Sequence, residues 1–354
     1  MIQSALIRCF SLLTLALTLA GMHAQVSEPD TFPAALNVLG LTPASTQQQW
    51  IDTYEKEHRQ TQDLSTRKVS AAGSQQLSEI VNTVQIYQPE SFAAHYLAYL
   101  DQFPQDQSFE RLKKAQQAEP DNALIFDDMM FLGVVSQDKS VTAQYAQKLL
   151  NSGVFSEAVL EYARNVLHSM PDGSVVVTYG FDDTFPIWIA QYVSGIKPNV
   201  KVVPVDLLGN PKYAQRICSL LGVEKVSFAD MDAKKRIDHL LNSSYPYLYL
   251  ALTVDGGILK KAQKKLYLTG LALHHLPDGI ENVSTLVYNW ENQFEKNHLN
   301  SNEGIIRNYQ LIYAVLEDYY EYSGNAASLE RIRSRMRNMK SKLSKTKSSS
   351  PATH

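Results

Sequence analysis

Two adjacent carboxylates are the first candidates for chemistry in this sequence. Asp182 and Asp183 follow a short β-branched run and precede a helical pattern that contains Pro186. In open α/β sheets ligands bind at the carboxyl ends of strands, where such a pair could hold a divalent cation or a sugar hydroxyl. Alternatively, Asp183 or Thr184 caps the helix whose first turn holds Pro186. We favour the cap, because that geometry requires one and nothing else in the sequence marks a metal site.

The candidate ligand-binding loop extends to both sides of this pair. Trp188, one turn into the helix, could stack on a sugar ring, but its apolar neighbours Ile187 and Ile189 favour packing in the core. The sequence has no nucleophile elbow, HExxH or Cys-x-x-Cys motif, so it identifies no catalytic residue, although catalysis does not require these motifs. The residues of the candidate loop are Thr178, Gly180, Asp182, Asp183, Thr184 and Trp188.

Other residues capable of chemistry favour structural roles. His274 and His275 lack the i, i+4 spacing of a helical metal pair, and no third ligand is evident. Gly256-Gly257 is followed by lysines but lacks the spacing of a phosphate-binding loop. Cys218 has apolar neighbours in a helical run and is expected to be a small buried hydrophobe. We therefore predict neither a metal site nor a cofactor.

The candidate loop belongs to a strand–turn–helix–strand unit. Residues 175–177 form the first β-branched run and residues 200–208 contain the second, which is typical of strands buried in a parallel sheet. A third buried strand is predicted at 247–253 and a short one at 226–228. We expect a small parallel-sheet α/β domain over residues 171–298.

Helical periodicity dominates the chain before this unit. Helices of about 12 residues, often preceded by Ser or Asp at the expected N-cap, are predicted over residues 74–170, with a repeat of about 32 residues. Part of this array resembles a degenerate tetratricopeptide repeat in Ala115, Pro120, Asn122 and the Leu132-Gly133 pair. Such repeats imply a concave surface for a protein partner. The alternative is a plain helical bundle that packs on the next domain.

The first residues predict export. Residues 1–24 contain Arg8, an apolar run and a small residue at the cleavage point, as secretory signals do. An uncleaved N-terminal anchor is the alternative. No later stretch approaches the roughly 18 consecutive apolar residues of a spanning helix. We expect a periplasmic mature chain without a membrane span. The signal and the net charge of -3 both argue against a nucleic-acid partner.

Polar segments flank the folded parts. Residues 25–73 are expected to be a polar linker with a possible helix, residues 299–343 a helical hairpin, and residues 344–354 a disordered tail. Residues 331–347 carry basic side chains and no acid, which usually indicates a solvated helix face. Contact of this basic helix with an anionic surface is the alternative.

One stretch of the α/β part resembles a known family. The residues that carry the resemblance in the loop are Thr178, Gly180, Asp183, Thr184, Pro186 and Trp188. They are similar to the soluble C-terminal region of the bacterial protein O-mannosyltransferase-like family of multi-spanning membrane proteins, over about residues 171–340. Tyr179 and Phe181-Asp182 depart from the family pattern. The family's catalytic half is membrane-embedded and has no counterpart in this sequence, so the resemblance implies no catalytic activity here.

Two classes of function follow from these observations. The repeat-like helices, the missing membrane half and the lack of a recognised active site favour a non-catalytic scaffold or assembly module that binds a cell-envelope protein. The alternative is a soluble carbohydrate-binding or glycan-processing accessory module, in which Asp182, Asp183 and Trp188 hold a glycan at the sheet edge.

Overall fold

Three consecutive parts of the chain pack together in the order helices, sheet, helices. The computed structural model describes residues 32–63, 68–254, 256–262, 265–276, 279 and 281–349, and the predicted signal at 1–24 lies outside them. The expected fold class, a helical array followed by an α/β part and C-terminal helices, is confirmed. Within these described ranges, no helix is both long enough and apolar enough to cross a membrane.

Of the eight α-helices described before the sheet, five begin where a polar side chain caps them. Each capping side chain accepts a hydrogen bond from an amide of the first turn, which otherwise has no partner in the helix. The caps are Thr46, Ser70, Ser91, Asp138 and Ser156. The helices are α1 Ala34–Val38, α2 Gln47–Thr61, α3 Ala71–Tyr87, α4 Phe92–Gln102, α5 Asp106–Ala118, α6 Phe126–Ser136, α7 Lys139–Asn151 and α8 Glu157–His168.

The segment expected to be a polar linker contains part of the helical core. α2 matches the possible helix of that segment, and it packs against α3 and α4. Trp50, Ile51 and Tyr54 are buried, with Trp50 fully shielded from solvent. These apolar residues are sparse but share one helix face, which is sufficient to anchor the helix on its neighbours. α2, the possible helix of this segment, therefore contributes one face to the helical core.

A five-stranded sheet in the order β2-β1-β3-β5-β4 follows in the described residues. β1 (Val175–Thr178) pairs in parallel with β2 (Lys201–Pro204) and with β3 (Leu248–Ala251), as the β-branched and apolar runs predicted. β5 (Ala272–His275) pairs antiparallel with β3 and with β4 (Leu266–Leu268).

The sheet is therefore mixed, whereas we predicted a parallel one. β4 and β5 are joined by a short turn that contains Gly270, and so few residues cannot form the crossover that a parallel pair needs. The strand predicted at 226–228 is irregular chain. Its Phe228 is buried and packs edge-on against the ring of His239, at 5.4 Å between centroids, and pairs with no strand.

Helices cover the sheet and end the chain. They are α9 Phe181–Tyr192, α10 Pro211–Leu221, α11 Ala233–Leu240, α12 Gly256–Ala262, α13 Val283–Tyr288, α14 Tyr309–Tyr322 and α15 Ala326–Ser349. α14 and α15 form the predicted hairpin. α15 continues to Ser349, into the segment 344–354 that we expected to be a disordered tail, because lysine and serine do not break a helix and the next proline is Pro351.

Aromatic side chains join the helical array to the first βαβ unit. Phe131 on α6 lies 4.9 Å from Phe185 and 5.8 Å from Trp188, measured between ring centroids, and both partners are on α9. Phe103, at the end of α4, contacts the other side of Phe131 at 5.5 Å. Such tilted and edge-on pairs stabilise a contact beyond the area they bury. The array and the sheet therefore share one core.

Asn210 makes a polar contact between the helical array and the sheet layer. It is fully buried, and its side-chain oxygen caps α10 by accepting from the Tyr213 amide at 2.9 Å. Its side-chain nitrogen donates to the Pro104 carbonyl at 3.0 Å and to the Asp106 carboxylate at 2.8 Å, both in the helical array. One side chain thus satisfies a helix end and bridges the two layers.

We predict that Asn210→Ala lowers the free energy of unfolding by about 2–4 kcal/mol, because it removes a cap and leaves a buried carbonyl without its donor. Ser156→Ala is the matched control, since the exposed Ser156 only caps α8, and it should cost about 1 kcal/mol. Urea unfolding of both variants checks this. Equal losses would show that the bridge between layers contributes nothing.

Candidate binding cavity

A glycine lets the chain turn sharply out of β1. Gly180 has a φ of 127°, which side chains disfavour, and it is the N-cap of α9. α9 therefore starts at Phe181, and Pro186 lies in its second turn, whereas we expected it in the first. The predicted cap by Asp183 or Thr184 was wrong, since Gly180 takes that position and has no side chain with which to cap.

Asp183 instead connects two loops beneath the sheet edge. Its carboxylate accepts from the Tyr179 amide at 2.8 Å and from the Thr253 hydroxyl, so it ties the loop after β1 to the loop after β3. The side chain is only 2% exposed, and burial raises its pKa to about 6. The three hydrogen bonds it receives, including one of 3.3 Å from Thr184, act in the opposite direction.

The other residues of the candidate loop do not converge on one site. Asp182 is exposed, because consecutive residues of a helix point in different directions. Thr178 and Thr184 are buried and share a hydrogen bond of 2.8 Å between their hydroxyls. Trp188 is 2% exposed and lies among the aromatic rings of the core, so it offers no face to a sugar. No group of three potential metal ligands occurs among the described residues.

A cavity of about 700 Å³ lies next to this loop, where the helical array faces the carboxyl ends of β1 and β2. Tyr179 follows β1 and Asp206 follows β2, and both line the cavity. Ligands of open α/β sheets bind at this end of the strands. The wall from the array consists of Tyr54, Glu55, His58, Arg59, Gln62, Leu100, Phe103, Pro104 and Asp128, and Arg236 of α11 completes it.

One wall of the cavity is acidic. Asp128 on α6 is buried, and its carboxylate accepts a hydrogen bond of 2.7 Å from the hydroxyl of Tyr99. Burial raises the pKa of Asp128 well above its usual range, and the neighbouring Asp127 raises it further. Burial also raises the pKa of Asp127. Asp128 is thus held in place before any ligand arrives, which lowers the entropic cost of binding.

Two arginines also line the cavity. Arg236 donates to the carbonyls of Val205 and Asp206 at 3.2 and 3.4 Å, and burial lowers its pKa. Arg59 lies at the exposed rim, where it pairs with Glu55 at 3.3 Å. The lining therefore combines donors, acceptors and aromatic surface. This arrangement suits a neutral ligand with many hydroxyl groups, which needs both kinds of partner.

Sequence reasoning missed this cavity because its residues come from distant segments. Tyr179 lies between predicted residues of the candidate loop but was not itself predicted. Tyr54 and His58 lie in the segment that we expected to be a linker. The one signal available was the Asp127-Asp128 pair inside the apolar helix α6. Paired carboxylates in such a helix are costly to bury unless they have partners.

The fold and cavity define a helical array closed on the edge of a small α/β sheet. Residues 159–219 match the family described as TMEM260-associated domain 2. The match runs from α8 through β1, α9 and β2 into α10, and it includes Tyr179 and Asp206 of the cavity. It agrees with the O-mannosyltransferase-like resemblance of this segment. No curated protein and no solved structure matched the chain.

We predict that Asp183→Asn changes how stability depends on pH. The folded chain holds the Asp183 proton more tightly than the unfolded chain, so this acid stabilises the fold below about pH 4, and that contribution is lost as pH rises through about 6. Relative to the Asn variant, wild type should therefore lose up to about 3 kcal/mol between pH 4 and 7. Urea unfolding at several pH values measures the difference.

The control for this comparison is Asp182→Asn, which replaces the exposed neighbour of Asp183. Its stability should follow that of wild type across the same pH range. A constant difference between wild type and Asp183→Asn would contradict the assignment of a raised pKa to Asp183.

Proposed function

We propose that this chain is an exported accessory module of the cell envelope that binds a saccharide in the cavity between its helical array and its sheet. The observation that carries the proposal is the cavity itself. Its volume of about 700 Å³ lies within the usual range of ligand sites. An acceptor on α6 and donors on α2 and α11 line it together.

Aromatic residues support a sugar as the ligand. Tyr54, Phe103 and Tyr179 line the same cavity. Aromatic rings offer a rigid apolar surface to the C–H faces of a sugar, while carboxylates and guanidinium groups bind its hydroxyls. This site differs from the one that we predicted, since Asp182 and Trp188 do not line it and Tyr179 does.

The sequence resemblance suggests how such a module would be used. The segment similar to O-mannosyltransferase-like proteins forms the sheet side of the cavity, including Tyr179 and Asp206. A soluble domain that holds a glycan or a glycosylated acceptor would assist a transferase without performing the transfer. The proposal therefore assigns recognition to this chain and no catalytic step.

We expect the purified mature chain to bind methyl α-mannoside or a related pyranoside saturably. Arg59→Gln should weaken binding by about tenfold or more, because it removes a charge-assisted hydrogen bond. Titration calorimetry with mannoside, glucoside and galactoside measures the affinities. Arg307→Gln is the control, since Arg307 is exposed on a distant segment and should bind as wild type does.

Two outcomes would contradict the saccharide proposal. One is the absence of saturable binding to any of the three glycosides by a chain that unfolds cooperatively. The other is an equal loss of affinity in Arg307→Gln, which would indicate an effect of net charge.

A second candidate function is the protein-binding scaffold, with tetratricopeptide-like repeats as its surface. The supporting observation is at Gly133, in the Leu132-Gly133 pair, where an added Cβ would lie 2.3 Å from the Thr142 hydroxyl oxygen. Only glycine lets α6 and α7 approach so closely, as paired repeat helices must. α2/α3, α4/α5 and α6/α7 pack as successive pairs.

The scaffold function can be tested by cross-linking the tagged chain in its native envelope, capturing it and identifying the proteins that are captured with it. If the chain is a scaffold, we expect one envelope protein to be captured with it in a stoichiometric amount. That protein should still be captured when a glycoside that binds the cavity is added in excess. Capture that the glycoside abolishes would favour the saccharide site as the point of contact.

A further inference from the structure

A second, smaller pocket, which shares none of its described lining residues with the cavity, lies between the start of α15 and the turn that follows α13. Its accessible volume is about 110 Å³. Trp290 and Glu291 come from a π-helical turn, Asn289–Gln293, and Lys296 comes from the next loop. Arg331 and Arg335 project from one face of α15, because they are four residues apart.

Three cations meet in this pocket. The Lys296 ammonium lies 5.1 Å from the centre of the Trp290 ring, and the Arg335 guanidinium lies 5.9 Å from it. Arg331 is oriented by a hydrogen bond of 2.8 Å to the Ser328 hydroxyl. The indole therefore serves as a platform that holds two of the three charges.

These cations lack the carboxylate partners that their neighbours have. Arg333 pairs with Glu317 and Glu321, and Arg337 pairs with Glu330. Among the described residues, by contrast, no ion pair is formed by the three cations of the pocket. Glu291, the acid that lines it, accepts instead from the Tyr320 hydroxyl.

Three cations converge on this pocket, whereas Glu291 is the one carboxylate among the described residues of its lining. Burial lowers the pKa of Lys296, Glu291 raises it, and Arg335 and Arg331 lower it again. Like charges that converge on one pocket repel each other, and a bound anion would remove that repulsion.

We propose that this pocket binds a phosphate group. Two guanidinium groups and an ammonium match the oxygens of a phosphate, with arginine able to donate two parallel hydrogen bonds. A phosphate bound there would lie at the base of the basic helix α15. The group could come from a lipid headgroup or from a free phosphate, and the proposal is independent of the saccharide cavity.

The test uses the whole mature chain and inorganic phosphate. Phosphate should raise the unfolding midpoint saturably, compared with chloride at the same ionic strength. Arg335→Gln and Lys296→Gln should each weaken phosphate binding by about tenfold or more, because each removes a charge-assisted contact. Arg337→Gln is the matched control, since it removes the same charge from the same helix outside the pocket, and it should bind as wild type does.

A vesicle measurement distinguishes the two sources of phosphate. If the phosphate belongs to a lipid headgroup, the wild-type chain should sediment with phosphatidylglycerol vesicles but not with phosphatidylcholine vesicles. The variant Arg335→Gln should then no longer sediment with phosphatidylglycerol. Phosphate binding without vesicle binding would identify a free phosphate. Equal responses to phosphate and chloride, or equal losses in Arg335→Gln and Arg337→Gln, would overturn the site.

Discussion

The structure depends on the packing of the helical array against α9, to which α6, α7 and α8 all contribute. Phe131 inserts against Phe185 and Trp188 at ring distances of 4.9 and 5.8 Å, and this holds the helical array over the carboxyl ends of β1 and β2. Asn210 fixes the same two layers at a second point through its bond to the Pro104 carbonyl. Because several separated contacts fix the orientation of the array on the sheet, the space left between the layers has a constant shape. A preformed cavity binds a ligand without first ordering its own walls.

Burial explains why the acidic loop is structural and the cavity beside it is open. Asp183 uses its carboxylate to join the loops after β1 and β3, and it is shielded from solvent. Tyr179 lines the cavity, although the amide of the same residue is one of the donors to Asp183. The buried acid thus positions the residue that a ligand would meet. Asp128 is held in a similar way by Tyr99 on the opposite wall.

Local patterns predicted much of this fold. Caps such as Ser91 and Ser156 mark where helices begin, and the runs at β1 and β2 have the β-branched composition of buried strands. The β4–β5 hairpin escaped prediction because its strands are short and carry polar residues. The cavity escaped it because Tyr54, Asp128 and Arg236 meet only after the layers have docked. The phosphate pocket was missed for the same reason, because Lys296 meets α15 only in the folded chain. The basic run of α15 itself could be recognised in the sequence.

The most direct test of the shared core is segment-resolved hydrogen exchange of Phe131→Ala. If the array and the sheet depend on this contact, α4, α6 and β1 should all lose protection by a similar amount, about 3 kcal/mol for a truncated core phenylalanine. A loss confined to α6, with β1 as protected as in wild type, would show that the shared core does not depend on Phe131. That result would contradict the account of the cavity as a product of layers that dock through this residue.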